Sequence, residues 1–298
     1  MTLDLRSFAS QVRVTDGAWG TELQSLGLPA GAAPELWNVE RPSAVEQVAR
    51  SYVKAGSDII LTNTFGANRF VLSRHDAGDR ASELAEAGTA ISRAAAGRRA
   101  KVFASIGPTG KIVMMGEVAR DEICSAFAEA AGAVTRRGAD AIVLETFNEL
   151  DEALLALTGV KQASPLPVVV SMTFASGPDG TSTMMGNCPA DLAAAAEAGG
   201  ADAVGANCGT GPADYVKVAR LFREATDLPI WIKPNAGLPQ AGPGGKTIFP
   251  MGPEEFVSFA GPLAAAGAKF IGGCCGTTPE HIRALRAAVN EINSDGDR

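Results

Sequence analysis

The amino-acid sequence predicts a (β/α)8 TIM barrel, written as one domain over residues 1–298. Three observations predict it. Short β-branched runs recur eight times along the chain. Between them lie helix-length stretches with apolar residues at three- and four-residue spacing, such as "SAVEQVARSYVKAG" and "PEEFVSFAGPLAAAG". No "GxGxxG" follows the first run, so an open dinucleotide-binding sheet has no support. Apolar strands alternating with helices mean a parallel sheet covered on both faces, and eight units favour closure into a barrel.

Taken in order, the strands are expected at Val12–Thr15, Ile59–Thr62, Val102–Ile106, Ala141–Leu144, Val168–Thr173, Ala203–Ala206, Ile230–Lys233 and Lys269–Ile271. Several intervening helices close on a glycine just before the next strand: Gly56, Gly138, Gly200 and Gly267. The Gly/Pro-rich stretch "AGLPQAGPGGKTIFP" reads as a long loop after the seventh strand. The tail "NSDGDR" reads as frayed.

Composition narrows the function. Lys and Arg total 26 against 33 Asp and Glu, a net charge of −7. There is no basic run, the densest patch being Arg98–Arg99 in "AAAGRRAK", so the acidic balance argues against nucleic acid as the main partner. No apolar stretch is long enough to span a bilayer. The N-terminus "MTLDLRSFASQ" lacks a signal peptide's basic start and apolar core, so a cytoplasmic location is expected. Five cysteines, an odd count without an export signal, argue against a disulfide framework. That leaves a metal, a reactive thiol or plain packing.

In such a barrel, chemistry sits on the loops that follow the strands. The predicted strand ends carry, in order, Asp16-Gly17, Asn63, Gly107, Glu145, Thr173, Cys208, Asn235 and Cys274-Cys275. Three cysteines thus fall at ends six and eight, amid glycines that let the backbone turn sharply. Thiolates suit zinc, and three protein ligands leave the fourth position open, as in catalytic sites. Spacing alone leaves burial of the same cysteines as an equal alternative. Cys124 lies in an amphipathic helix and reads as packing. Cys188 reads as a helix-entry residue, with weak metal ligation as the alternative. His281 is expected on the surface of the last helix, and His75 in a charged loop. Asp16 and Glu145 would face the barrel mouth. There they could hold an α-ammonium group, while the main-chain N–H groups of Gly17, Ala18 and Trp19 hold an α-carboxylate, with Asn63 nearby. The alternative for Asp16 is turn chemistry, and for Glu145 a salt bridge to a neighbouring lysine.

The signatures "DGAWGTEL", "LTNTFGANR", "GPTG", "LETFNELDEA", "GANCGTGP", "KPNAGLP" and "GGCCGTTPEHI" resemble the homocysteine S-methyltransferase family, from Asp16 to about His281. They are most like the homocysteine-binding module of cobalamin-dependent methionine synthase. The resemblance implies zinc (Zn2+) on Cys208, Cys274 and Cys275, and Asp16 and Glu145 directed at the amino group of L-homocysteine. It implies methyl transfer to the thiol, giving L-methionine. The expected donor is methylcobalamin, free or on a separate corrinoid protein. The alternative is a small onium compound, betaine or S-methylmethionine, caged by aromatics among Trp19, Trp37, Phe65 and Phe147. A barrel lyase or aldolase with Lys233 as a Schiff-base lysine, and a non-catalytic homologue, are the rival readings.

Overall fold

A computed structural model of the chain describes residues 2–242 and 247–296. Eight strands form one parallel sheet: β1 (Arg13–Val14), β2 (Ile59–Ile60), β3 (Lys101–Ile106), β4 (Ala141–Phe147), β5 (Val168–Met172), β6 (Ala203–Cys208), β7 (Ile230–Pro234) and β8 (Ala268–Ile271). Their order is β1-β8-β7-β6-β5-β4-β3-β2. The two ends of that order meet, because the Asp58 N–H donates to the Val14 carbonyl (2.8 Å) and the Asp58 carboxylate accepts from the Val14 N–H (2.8 Å). The barrel predicted from sequence is therefore present.

The strands differ from expectation mainly in length. β1 and β2 are only two residues long, since hydroxyls and carboxylates replace the ladder above them. The Ser105 N–H donates to Thr62 Oγ1 (3.1 Å), and Thr64 Oγ1 donates to the Ser105 carbonyl (2.7 Å). β4 and β6 instead run on through Glu145–Phe147 and Asn207–Cys208, polar stretches that read as loop.

Helices cover the outside through one apolar stripe each. In Pro42–Ala55 the buried residues include Val45, Val48, Ala49, Tyr52 and Val53, the three- and four-residue spacing of a single face. The four predicted helix-stop glycines all have positive φ, between 80° and 104°. The tail departs from expectation. Its helix continues from Pro279 to Gly296, because the Asn293 amide pairs with both backbone groups of Val12 (3.0 Å each). Asp297 and Arg298 lie outside the described residues. The loop after β7 folds into an antiparallel pair, Gln240–Ala241 with Thr247–Ile248, and its residues 243–246 lie outside the described residues.

Inside the barrel, alternation along each strand sorts the side chains into layers. The lower layers are apolar. Phe103 stacks on Trp231 at 5.9 Å, and Trp231 meets Phe270 at 5.6 Å. Leu5 and Ala9, from the N-terminal turn of helix Leu5–Phe8 and its C-cap, close the bottom of that cluster. Two residues farther along the same strands stand Ser105, Glu145, Ser171, Asn207 and Lys233, all buried and all polar. That polar layer is the floor of the barrel mouth. No helix among the described residues is long and apolar enough to cross a membrane.

Candidate active site

The three predicted cysteines converge. Cys208 ends β6 with φ 66°, and Gly209 follows with φ 61°. After β8 the chain turns through Gly272-Gly273-Cys274-Cys275-Gly276. A Cβ on Gly272 would lie 1.8 Å from Thr15 Oγ1, so this approach to β1 requires glycine. The Cys274 N–H donates to the Pro234 carbonyl (2.8 Å), which pins the turn against β7. Asn235 straps the two loops together: Oδ1 accepts from the Cys275 N–H (3.0 Å) and Nδ2 donates to the Gly209 carbonyl (2.9 Å). The sulfur atoms of Cys208, Cys274 and Cys275 all lie within 4.8 Å of one another. Hydrogen bonds from Cys274 and then Cys275 hold Cys208 as the anion, its pKa lowered to about 3. The same bond to Cys208 pushes Cys275 up to about 12 and Cys274 well above the ordinary thiol range. A soft cation would displace both protons. Three sulfur donors with one side open to a cavity of about 420 Å³ fit a tetrahedral zinc with a vacant fourth position.

The carboxylates lie in the polar floor beside this cluster. Glu145 lines the cavity and accepts from Ser105 Oγ (2.5 Å). Burial raises its pKa, against the opposing pull of Lys233 and Ser105. Asp16 is fully buried and its oxygens are committed: Oδ1 pairs with Lys233 Nζ, and Oδ2 accepts from Trp19 Nε1 (2.7 Å) and the Leu61 N–H (2.7 Å). A lysine pairing weighed from sequence for Glu145 is thus found at Asp16 instead. Lys233 stands buried in that ion pair, which gives a Schiff-base role no free amine.

The turn after β1 holds the other predicted contacts. Tyr52 Oη donates to the Ala18 carbonyl (2.6 Å), and the Ala18 N–H donates to Thr277 Oγ1 (3.1 Å). The Ala18 N–H is thus already bonded, which takes it out of the three N–H groups expected to meet an α-carboxylate. All three residues line the cavity. Asn63 lines it too, but its amide nitrogen is spent on the Pro34 carbonyl and Asn38 Oδ1 (2.8 Å each). Its role is to fix the second loop.

Other predicted residues fall outside the site. Cys188 caps helix Pro189–Ala198, with its N–H bonded to Asp191 (2.8 Å), and is not in the sulfur cluster. Cys124 packs within helix Arg120–Arg136. His281 is not on the surface: it is 5% exposed, with Nε2 donating to the Met251 carbonyl (3.0 Å). Trp37 and Phe147 are buried in the core, leaving Trp19 and Phe65 as the cavity's aromatics. Sequence reasoning missed the loop anchors. Buried Glu35 accepts from the Gly66 N–H (2.6 Å). Glu152 accepts from Thr109 N–H (2.7 Å) and Oγ1 (2.5 Å), tying the third loop to "NELDEA". Acids spaced as on a helix start gave no sign of those partners.

With this geometry in place, likeness to known proteins is decisive. The family model described as homocysteine S-methyltransferase matches residues 13–289. The chain belongs to the homocysteine S-methyltransferase family. Among curated relatives it is 37% identical to methionine synthase of Mycobacterium tuberculosis over 97% of this chain, and 35% identical to that of Mycobacterium leprae over 97%. The chain spans 26% and 25% of those two proteins' lengths. In fold it resembles the metallated homocysteine methyltransferase MmuM of Escherichia coli, with TM-score 0.79 at 22% identity, covering 96% of this chain and 99% of that one.

Proposed function

We propose that this protein methylates the thiol of L-homocysteine to give L-methionine, with zinc held by Cys208, Cys274 and Cys275. The single observation that carries the reading is the convergence of three thiols, from strand ends 66 and 67 residues apart (274 − 208 and 275 − 208), beside a buried glutamate in one cavity. Zinc, when bound there, would lower the substrate thiol's pKa and keep its sulfur nucleophilic. The thiol proton is lost, and an S–CH3 bond forms as the donor–CH3 bond breaks.

The chain's own residues do the orienting. Glu145 receives the α-ammonium, and Asp16 supports it from below by fixing Lys233. The free N–H groups at Gly17 and Trp19 face the α-carboxylate, while Trp19, anchored through its indole to Asp16, walls the cavity. An amino acid held so would present its side chain toward the cysteines.

Methylcobalamin, free or on a separate corrinoid protein, is the donor this reading favours. Ile112, Met114, Met115, Met184 and Leu238 are exposed apolar residues on segments that follow strands, on the same end of the barrel as the cavity. Two of the four aromatics expected to cage an onium donor are buried elsewhere. A donor panel on zinc-loaded protein tests the whole reading: turnover with methylcobalamin supports it. Turnover with betaine or S-methylmethionine alone would replace the donor, and no homocysteine methylation with any donor would overturn the function. A cytoplasmic setting is part of the same proposal.

A further inference from the structure

We infer that Asn207 is a positioning residue that links the metal-side backbone at Cys208 to the ammonium-binding Glu145, through a left-handed bulge at Thr146. The inference rests on the roles just proposed for Cys208 and Glu145.

Among the described residues, three other than glycine have positive φ: Asp76 (54°), Thr146 (68°) and Cys208 (66°). Asp76 ends a single exposed turn, where aspartate is tolerated. Thr146 is different. A β-branched residue in this region is a true outlier, and such a conformation persists only when its surroundings enforce it. Thr146 and Cys208 occupy matching places, each one residue beyond an inward polar residue of the barrel's upper layer, Glu145 on β4 and Asn207 on β6.

The register between β4 and β5 explains the strain. Leu144 lies opposite Val170 but Phe147 lies opposite Met172, so β4 carries one extra residue across from Ser171. An extra residue of this kind takes one N–H out of the ladder and re-aims the neighbouring side chains. Here both Glu145 and Thr146 line the cavity, which regular alternation would forbid. The displaced Thr146 N–H needs an acceptor, and Asn207 Oδ1 supplies it at 2.9 Å. Asn207 Nδ2 donates to Thr146 Oγ1 at 2.7 Å, and Ser171 Oγ donates to the same Oδ1 at 2.7 Å. One fully buried amide therefore clasps the bulge from two sides, reaching past β5 to do so. Its own carbonyl accepts from Tyr215 Oη (3.0 Å), and the next residue is Cys208. Asn207 cannot shift without moving either Cys208 or the bulge that aims Glu145.

The test uses the full chain, loaded with zinc or with cobalt(II), and homocysteine as ligand. Asn207→Ala should raise the dissociation constant for homocysteine at least tenfold. It should also shift the thiolate-to-cobalt absorption bands, which report on sulfur geometry. Adding Thr146→Gly to that variant should restore most of the affinity, because glycine adopts φ near 68° unaided. Should Asn207→Ala fold poorly, the pair Thr146→Ala and Thr146→Gly decides: the alanine variant should bind homocysteine several-fold more weakly than the glycine variant. Equal binding by that pair, an affinity for Asn207→Ala within twofold of wild type, or an unmoved cobalt spectrum would overturn the inference. Those outcomes leave wild-type binding intact. Failure of the wild-type protein to bind homocysteine would instead sink the functional proposal. The cobalt spectrum, read without any amino acid, tests the Asn207–Cys208 link on its own.

Discussion

Two layers of the same barrel, only two residues apart on each strand, do opposite work. Below, Phe103, Trp231 and Phe270 fill the interior with packed rings. Above, Ser105, Glu145, Asn207 and Lys233 occupy the next inward positions on the same or neighbouring strands and bond one another's loops. The lower layer gains stability from apolar burial. The upper layer gives that up and holds buried charge, which is tolerable only because the groups are partnered. Stability and function are thus separated by one repeat of the strand, and substitutions in each layer should be read out by different measurements.

The largest effect belongs to the sulfur cluster above the upper layer. Cys208→Ala, Cys274→Ala and Cys275→Ala should each lose most bound zinc and nearly all methyl transfer, with circular dichroism unchanged. Metal analysis decides it: full zinc retention in all three would refute the site. Next comes the lower layer. Trp231→Ala should lower unfolding free energy by about 3–5 kcal/mol in denaturant titrations. The zinc content of the folded protein should stay the same. A tryptophan variant that lost zinc while remaining folded would show the layers to be coupled.

A smaller effect is expected at Glu145. Glu145→Gln should weaken homocysteine binding about tenfold or more, the loss of a charge-assisted hydrogen bond worth roughly 1.5–3 kcal/mol, without metal loss. The pH dependence has a definite sign. Burial raises the Glu145 pKa, and only the ionised form holds an ammonium. Binding should be complete above that raised value and fall as pH drops through it, at a higher pH than an ordinary glutamate would give. Calorimetry across roughly pH 4 to 7 reads it. A flat profile would mean that another group takes the ammonium.

How much of this was legible in the sequence follows the same division. The barrel was legible because periodicity and apolar runs are local. The cysteines were legible because three rare residues among glycines at two strand ends stand out. What was not legible depends on contacts between distant segments. Asp16 meets Lys233 across 217 positions, and the Ala18 N–H meets Thr277 across 259. His281 sits in the first turn of its helix, yet is buried because the seventh loop folds over it and offers the Met251 carbonyl. The left-handed conformations of Thr146 and Cys208 are equally silent, since both residue types normally avoid them.

The smallest effect tests Asp16, whose part in the floor is the least direct. Asp16→Asn alone strands a buried Lys233 without its anion, and breaking such a pair costs about 3–5 kcal/mol in stability. That loss would obscure any change in binding. Removing both charges together avoids it. In the double variant Asp16→Asn/Lys233→Met, the asparagine oxygen can still accept from Trp19 Nε1 and the Leu61 N–H, while its NH2 faces an apolar side chain of similar length in place of the ammonium. Exchange of a buried pair for apolar packing is often neutral. Thermal unfolding should therefore stay close to wild type, and homocysteine affinity should fall only a few-fold, because Glu145 keeps its carboxylate and Ser105 keeps Glu145 in place. A tenfold or greater loss of affinity in a stable double variant would show that Asp16 itself grips the ammonium, and would move the recognition centre from β4 to β1.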